Sequence, residues 1–377
     1  MNEDNPVEQT HRQAAVPPPL HEMTMHRILV YGAGVLGSLY AGRLAQAGFD
    51  VTLLARGRRL EELRQNGLLL MEDGAAQPEQ ITVQVTDRLE PEDAYDLVMV
   101  VVRKNQLESV LPALAASRGT PNVLFLVNNA AGPGRLIETL GAERVILGFP
   151  GAGGQRKDGI VHYRLAGSFQ PTTIGELNGQ HTPRLAEIAR VLSCAGLPVA
   201  ECSNMDAWLK THAALVSPLA NAVYLAGGSN YRLAATRDGL VLLVRAVKEG
   251  LRVLRALKVP ITPPFYRVLE FLPEPLLVYV LEQRMGSPEV ELVVARHANA
   301  ARDEMAALAE EFRALARQSG VKTPAIDTLY CYLDPANPPV PSGQANLRLS
   351  WGPTIAAAGG LISAAALAGW LLARRKR

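Results

Sequence analysis

The sequence predicts an α/β protein in which an N-terminal parallel-sheet domain is followed by an all-α domain and a final apolar helix. Short apolar runs alternate with helical stretches as far as about residue 203, which is typical of a parallel sheet covered on both faces. A glycine-rich turn joins the first apolar run to the first helix. From residue 204 the apolar spacing becomes almost wholly helical, which indicates a second domain.

Each element follows from the local pattern. The first strand is a five-residue apolar run that ends at a glycine, and a helix follows it until Gly48. Further apolar runs predict strands over residues 50–55, 96–102, 122–127, 144–148 and 171–175. The domain boundaries predicted from these patterns are a disordered leader (1–25), a sheet domain (26–203), a helical domain (204–333), a linker (334–353) and a membrane-anchor helix with a basic end (354–377).

Length and charge narrow the class of protein. A chain of 377 residues suits two domains with tails. The net charge of +2, with no basic stripe, argues against a nucleic-acid partner. The three cysteines, Cys194, Cys202 and Cys331, cannot all pair within one chain and lack metal-ligand spacing. We therefore expect a cytoplasmic protein without a metal site, and we allow for a homodimer.

The turn after the first strand has the spacing G-x-G-x-x-G. It consists of Gly32, Ala33, Gly34, Val35, Leu36 and Gly37. In a Rossmann-type dinucleotide site, the first glycine permits the turn, the second lets the backbone approach the pyrophosphate, and the third allows close helix–strand packing. The motif alone is weak, but here it lies between a strand and a helix, which is the context that supports dinucleotide binding.

The end of the second strand predicts which dinucleotide is bound. NAD sites usually place an acidic residue there for the ribose hydroxyls, whereas NADP sites place an arginine near the 2′-phosphate. This chain has Arg56 and no acidic residue, so the sequence favours NADPH. We expect Arg58 and Arg59 to begin a solvated helix.

With these motifs in place, the chain resembles the ketopantoate reductase (2-dehydropantoate 2-reductase) family over about residues 27–333. The segments 28–37 and 53–57 carry much of the resemblance. It implies a Rossmann domain followed by a helical domain, and NADPH-dependent reduction of a small 2-oxo acid such as 2-dehydropantoate to the 2-hydroxy acid, a step of pantothenate biosynthesis.

The resemblance also implies site residues. Lys210, with a tryptophan two residues before it, matches the family's catalytic lysine, and Glu304 matches its carboxylate. Either Arg103 or Lys104 supplies the positive charge that reaches cofactor and substrate. Asn129 matches the asparagine that follows the fourth predicted strand.

The chain departs from the family pattern on the substrate side. Ala130 replaces a glycine, Ala214 stands at one asparagine position, and Ser217 lies one residue short of another. These departures keep two alternatives open. One is a reductase of a different small carbonyl compound, and the other is a non-catalytic NADP(H)-binding sensor.

Hydride transfer to a ketone develops negative charge on the oxygen, which needs stabilisation and a proton. Lys210 can provide both, and burial would lower its pKa toward neutrality. We expect Glu304 to orient that lysine or to accept a hydrogen bond from a substrate hydroxyl. Ser217, Asn221 and His297 are further candidates for substrate contact, whereas His212 is expected to be structural.

The C-terminal segment 354–373 contains no charged residue. Trp351 and Trp370 bracket it at about 28 Å of helix, close to a bilayer's hydrocarbon thickness. The two interpretations are a membrane anchor and a helix packed on protein. The basic residues 374–377 and an NADPH-dependent domain both belong in the cytoplasm, and one spanning helix cannot satisfy both. A helix lying in the interface, or an exception to the positive-inside rule, would resolve the conflict.

Overall fold

The computed structural model describes residues 23–351, which form a sheet domain and a helical domain. Twelve strands lie in the sheet domain. They are β1 (Arg27–Tyr31), β2 (Asp50–Leu54), β3 (Leu68–Glu72), β4 (Glu79–Ile81), β5 (Gln84–Thr86), β6 (Leu97–Val100), β7 (Val123–Leu126), β8 (Val145–Phe149), β9 (Ala152–Lys157), β10 (Ile160–Leu165), β11 (Thr172–Glu176) and β12 (Val199–Glu201).

The main sheet has eight strands in the order β12-β11-β8-β7-β6-β1-β2-β5. All neighbours are parallel except β8 and β11, which are antiparallel. The central strands β6 and β7 are buried along their whole length, as expected when helices cover both faces. The predicted parallel sheet is confirmed, and its strands end along the edge where ligands of such sheets bind.

Helices cover this sheet. They are α1 (Val35–Gln46), α2 (Gly57–Asn66), α3 (Leu107–Ala116), α4 (Gly134–Leu140) and α5 (Pro183–Cys194). A second sheet, in the order β4-β3-β10-β9, packs against α1. Leu68, Leu70 and Val161 bury their side chains there in the same core as Leu39 of α1. The sequence did not predict this sheet from residues 68–81.

The helical domain contains eight α-helices among the described residues. They are α6 (Met205–Leu225), α7 (Asn230–Ala234), α8 (Arg237–Ala256), α9 (Glu274–Met285), α10 (Pro288–Val290), α11 (Arg296–Ala300), α12 (Arg302–Ser319) and α13 (Pro324–Tyr330). A 3-10 segment, Pro264–Glu270, precedes α9, and a π-helical turn, Glu291–Ala295, precedes α11. Side chains of α6, α8, α12 and α13 form the core, so the predicted helical domain is confirmed.

Two predicted boundaries differ from the structure. The leader was expected to extend to residue 25, but Met23 and Met25 are buried, and Thr24 donates a hydrogen bond to Glu187. The domain therefore begins no later than residue 23.

The predicted linker is packed against the helical domain rather than free. Residues 334–350 form what we call the strap. Asp238 accepts the backbone N–H groups of Asn346 and Leu347, at 2.9 and 2.8 Å. Arg245 donates to the carbonyl of Arg348 at 2.7 Å. Proline and glycine give the strap no regular structure, so polar side chains of α8 satisfy its backbone instead.

The predicted anchor, residues 354–373, lies outside the described residues. Within residues 23–351, no helix is both long and apolar enough to cross a bilayer.

Candidate active site

The glycine turn has the geometry that a dinucleotide requires. Gly32 has φ +116°, and a Cβ there would lie 2.4 Å from the Val101 carbonyl oxygen. A Cβ on Gly37 would lie 1.8 Å from the Gly32 carbonyl oxygen. Gly34, which caps α1, has nothing within 4 Å of its Cβ position. The first and third glycines are therefore needed for packing, while the second leaves an open approach to the helix N-terminus, so the turn fits a pyrophosphate.

Arg56 occupies the end of β2 and caps α2. Its Nη2 donates a 2.6 Å hydrogen bond to the Tyr31 hydroxyl, and its guanidinium lies 5.7 Å from the Tyr31 ring centroid. Burial raises the pKa of Tyr31, and the charge of Arg56 opposes that shift. The neighbouring β1 strand thus positions Arg56 at the end of β2, where a nucleotide ribose would lie.

The other two arginines of this segment differ from each other. Arg58 is solvated, with its side chain 92% exposed, as predicted. The prediction was wrong for Arg59, whose side chain is 10% exposed and donates to the Ser38 hydroxyl of α1 at 3.2 Å. Desolvation lowers the pKa of Arg59. Arg59 therefore packs α2 onto α1 instead of facing solvent.

Lys210 lies on α6, is buried, and forms an ion pair with Asp206 one helical turn earlier. Gly132, in the loop after β7, lies directly against this pair. A Cβ on Gly132 would be 3.3 Å from the lysine Nζ and 3.2 Å from Asp206 Oδ1. Among the described residues Asp206 Oδ1 has no hydrogen-bond partner. The lysine therefore presents its ammonium to the edge of the sheet with a carboxylate behind it.

Glu304 lies on α12 and contacts the same loop at Asn128. Its Oε1 accepts a 2.9 Å hydrogen bond from Asn128 Nδ2 and a 3.4 Å hydrogen bond from the Lys104 backbone N–H. The expectation that Glu304 orients Lys210 is corrected here, because Asp206 forms that ion pair.

The two candidate cations after β6 point in different directions. Lys104 points inward, where its Nζ lies 2.9 Å from a Glu311 carboxylate oxygen and 3.0 Å from Asn129 Oδ1. Arg103 is 41% exposed and pairs with Asp303 at 2.9 Å. Arg103 is therefore the more open cation, and Lys104 ties the sheet domain to α12.

Asn129 is turned into its own loop. Its Nδ2 donates to the Gly132 carbonyl at 2.9 Å, while its Oδ1 accepts from Lys104. The Ala130 N–H donates to Glu311 at 3.0 Å, and the Ala130 side chain is fully buried. In this structure Asn129 shapes the loop against which Lys210 lies.

The three further substrate candidates lie in different environments. Ser217 and Asn221 are 4% and 2% exposed, buried within α6. His297 is exposed to solvent on α11, and the charges of Glu304 and Arg103 both act on it. Although part of the residue is exposed, desolvation of the ring by the atoms around it lowers the pKa of His297, and the charge of Glu304 opposes that shift. Of the three, His297 is the one open to a ligand.

Sequence reasoning missed an aromatic stack at the end of β8. The ring of His212 lies 4.1 Å from Phe149 and 5.2 Å from Trp208, nearly parallel to the latter. Burial lowers the pKa of His212 to about 3, so the ring is neutral at physiological pH. Sequence reasoning also missed Asp206, which i,i+4 spacing to Lys210 could have revealed, and Asn128 and Glu311, for which no local signal exists.

Within residues 23–351, no cluster of three His, Cys, Asp or Glu residues is arranged to hold a metal ion. A glycine turn open to phosphate, with a buried lysine and a carboxylate across the same sheet edge, describes a nucleotide-dependent oxidoreductase.

Comparisons with known proteins identify the family. The model of the family described as "Ketopantoate reductase PanE/ApbA" matches residues 28–179. The chain is 34% identical over 236 residues to the 2-dehydropantoate 2-reductase of Halobacterium salinarum, covering 61% of this chain and 75% of that relative. It is 27% identical over 257 residues to the enzyme of that name from Mesorhizobium japonicum, covering 60% and 77%. The chain belongs to the ketopantoate reductase family.

Solved structures share the two-domain fold. A putative ketopantoate reductase from Ralstonia solanacearum matches with a TM-score of 0.67 and 25% identity, over 82% of this chain and 97% of the other. D-mandelate dehydrogenase with NADH and anilino(oxo)acetate matches with a TM-score of 0.65 and 20% identity, over 81% and 96%. The second likeness concerns the fold alone.

Proposed function

We propose that this chain is a cytoplasmic NADPH-dependent reductase that converts 2-dehydropantoate to its 2-hydroxy acid. The observation that carries the proposal is that buried Lys210 and buried Glu304 both contact the loop after β7, at the ligand edge of the sheet. The relatives named 2-dehydropantoate 2-reductase support the choice of substrate.

NADPH supplies the hydride when it is bound. Residues 32–37 would hold its pyrophosphate, and Arg56 would hold the 2′-phosphate as a fork of charged donors. Tyr31 limits the directions in which Arg56 can point, since its hydroxyl already accepts one of the guanidinium N–H groups. The remaining guanidinium donors favour a phosphate over a plain ribose hydroxyl.

Lys210 would donate a hydrogen bond to the ketone oxygen and then a proton from Nζ as the alkoxide forms. Asp206 holds the ammonium in place and remains a carboxylate after the proton has left. Glu304 would accept a hydrogen bond from a substrate hydroxyl, because its Oε1 is held by Asn128. Arg103, the more open cation, would attract the substrate carboxylate.

One observation favours a second substrate class. Ala214 lies four residues after Lys210, on the same face of α6, and its side chain offers a substrate no hydrogen bond. A small carbonyl compound with an apolar substituent would suit an alanine at this position.

The test measures NADPH oxidation with 2-dehydropantoate and with a panel of aliphatic and aryl 2-oxo acids. Lys210→Met should reduce kcat by on the order of a hundredfold or more while NADPH still binds. Lys322→Met, at an exposed lysine in the helical domain, is the matched control. NADPH binding without turnover of any panel member would instead favour a non-catalytic sensor.

We also propose that residues 354–373 associate with a membrane as an interfacial helix. The support is the uncharged composition of that segment and its basic end.

A further inference from the structure

One face of the helical domain exposes a group of large apolar side chains. We call it the α9 face, and it is formed by residues 264–284. Its apolar members are Phe265, Val268, Phe271, Leu276, Tyr279 and Val280, and Phe265 and Phe271 are 64% and 69% exposed. Side chains of this size rarely cluster on the surface of a monomeric soluble protein without a binding role.

Helix α9 is apolar on both sides. Val278 and Met285 are buried in the helical core, whereas Leu276, Tyr279 and Val280 face outward. A helix that is apolar all round is normally covered all round. Among residues 23–351 no other element covers the outer side, so the covering surface comes from elsewhere.

Basic side chains surround the apolar group. Arg267 and Arg284 are exposed within the face, and Arg252 and Arg255 are exposed on the adjoining turns of α8. Arg255 pairs with Glu270, which leaves Glu282 as the exposed acidic residue of the segment. The face therefore combines aromatic residues with a positive rim, the pattern that favours the interface of an anionic bilayer.

The chain leaves the described structure beside this face. The Ser350 N–H donates a 2.9 Å hydrogen bond to Glu274, the first residue of α9. Trp351 follows and is 54% exposed. The uncharged segment 354–373 therefore starts within a few residues of the α9 face.

We infer that the α9 face binds the surface of an anionic membrane, on the same side as segment 354–373. Aromatic side chains would enter the headgroup region while the arginines contact lipid phosphates. A symmetric contact between two copies would place two basic rims against each other, which costs affinity.

The test uses the full chain with vesicles of phosphatidylcholine containing phosphatidylserine. The double variant Phe271→Ser, Tyr279→Ser should lower the vesicle partition coefficient by on the order of tenfold or more, since each aromatic side chain loses its apolar contact. Phe169→Ser is the matched control, because Phe169 is 90% exposed in a loop of the sheet domain. Arg267→Gln, Arg284→Gln should weaken binding most at low ionic strength. NADPH oxidation should be unchanged in all of them.

Hydrogen exchange distinguishes membrane binding through the α9 face from membrane binding through segment 354–373. Vesicles should slow amide exchange in residues 264–284 and leave the loop around Phe169 unaffected. Binding to vesicles without slower exchange in residues 264–284 would overturn the inference, because segment 354–373 alone would then contact the membrane. The inference would also be overturned if residues 264–284 already exchange as slowly before vesicles are added as they do afterwards. A second copy would then cover the face if the protein is dimeric by light scattering, and the chain's own C-terminal segment would cover it if the protein is monomeric.

Discussion

Alanine substitutions at Gly34 and Gly37 should separate cofactor binding from folding. A Cβ at position 37 would lie 1.8 Å from the Gly32 carbonyl oxygen, a backbone atom that no rotamer change can move. Overpacking of this kind costs about 3 kcal/mol or more, which lowers Tm by about 6 °C or more in a domain of this size. A Cβ at position 34 meets nothing within 4 Å, and Gly34 has φ −70°, which alanine adopts freely.

Gly34→Ala should therefore fold with Tm within about 3 °C of the parent, since an N-cap alanine costs at most about 1 kcal/mol relative to glycine. Its methyl group would occupy the space through which the pyrophosphate approaches, so the Kd for NADPH should rise at least about tenfold. Calorimetry without nucleotide and fluorescence titration with NADPH measure the two effects. If Gly34→Ala binds NADPH as the parent does, the pyrophosphate does not approach this turn. If Gly37→Ala melts as the parent does, the turn is not packed as described.

Three further predictions concern the charges around the site. Arg56→Ala should raise the Kd for NADPH by about tenfold to a hundredfold, through loss of a charge-assisted contact, and leave that for NADH nearly unchanged; an equal loss for both nucleotides would contradict the assignment of Arg56 to the 2′-phosphate. Asp206→Asn should lower kcat by about tenfold or more with NADPH binding intact, because Lys210 loses the carboxylate that holds it; an unchanged kcat would show that the ion pair is incidental. His212 has a folded pKa of about 3 against an ordinary 6.5, so the unfolded chain binds the extra proton and stability falls as pH drops below 6.5, by about 2 kcal/mol between pH 6.5 and pH 5. Urea unfolding at both pH values should show that loss in the parent and a smaller one in His212→Phe; equal losses would mean that His212 is not the group responsible.

The main sheet could be predicted because burial of its strands on both faces is visible in their apolar composition. Residues 97–100 and 123–126 are continuous apolar runs, and a strand buried on both faces needs that pattern. The second sheet could not be predicted in the same way. Strand β9, Ala152–Lys157, contains two glycines and two basic residues and is half exposed. Its pairing depends on β10, which in turn pairs with β3 from far earlier in the chain, and such long-range pairing leaves no local signal.

The strap shows why amino-acid composition wrongly predicted a free linker over residues 334–350. Proline, asparagine and glycine over residues 334–350 are typical of a free linker. What holds the strap is the set of backbone groups that Asp238 and Arg245 of α8 satisfy. A sequence displays side chains, and the contribution of backbone hydrogen bonds to a distant helix is visible only in the folded chain.

In the site, motifs located Lys210 and Glu304, while their arrangement depends on the loop after β7. Asn128 holds Glu304, and Gly132 lies against Lys210. Glu311 of α12 accepts the backbone N–H groups of this loop and so fixes it to the helical domain. Because one loop of the sheet domain contacts both functional groups of the helical domain, a shift of the sheet domain relative to α12 would move that loop and the glycine turn away from the carboxylate and the lysine together. The reactive geometry is therefore a property of the contact between the two domains, and neither domain alone contains it.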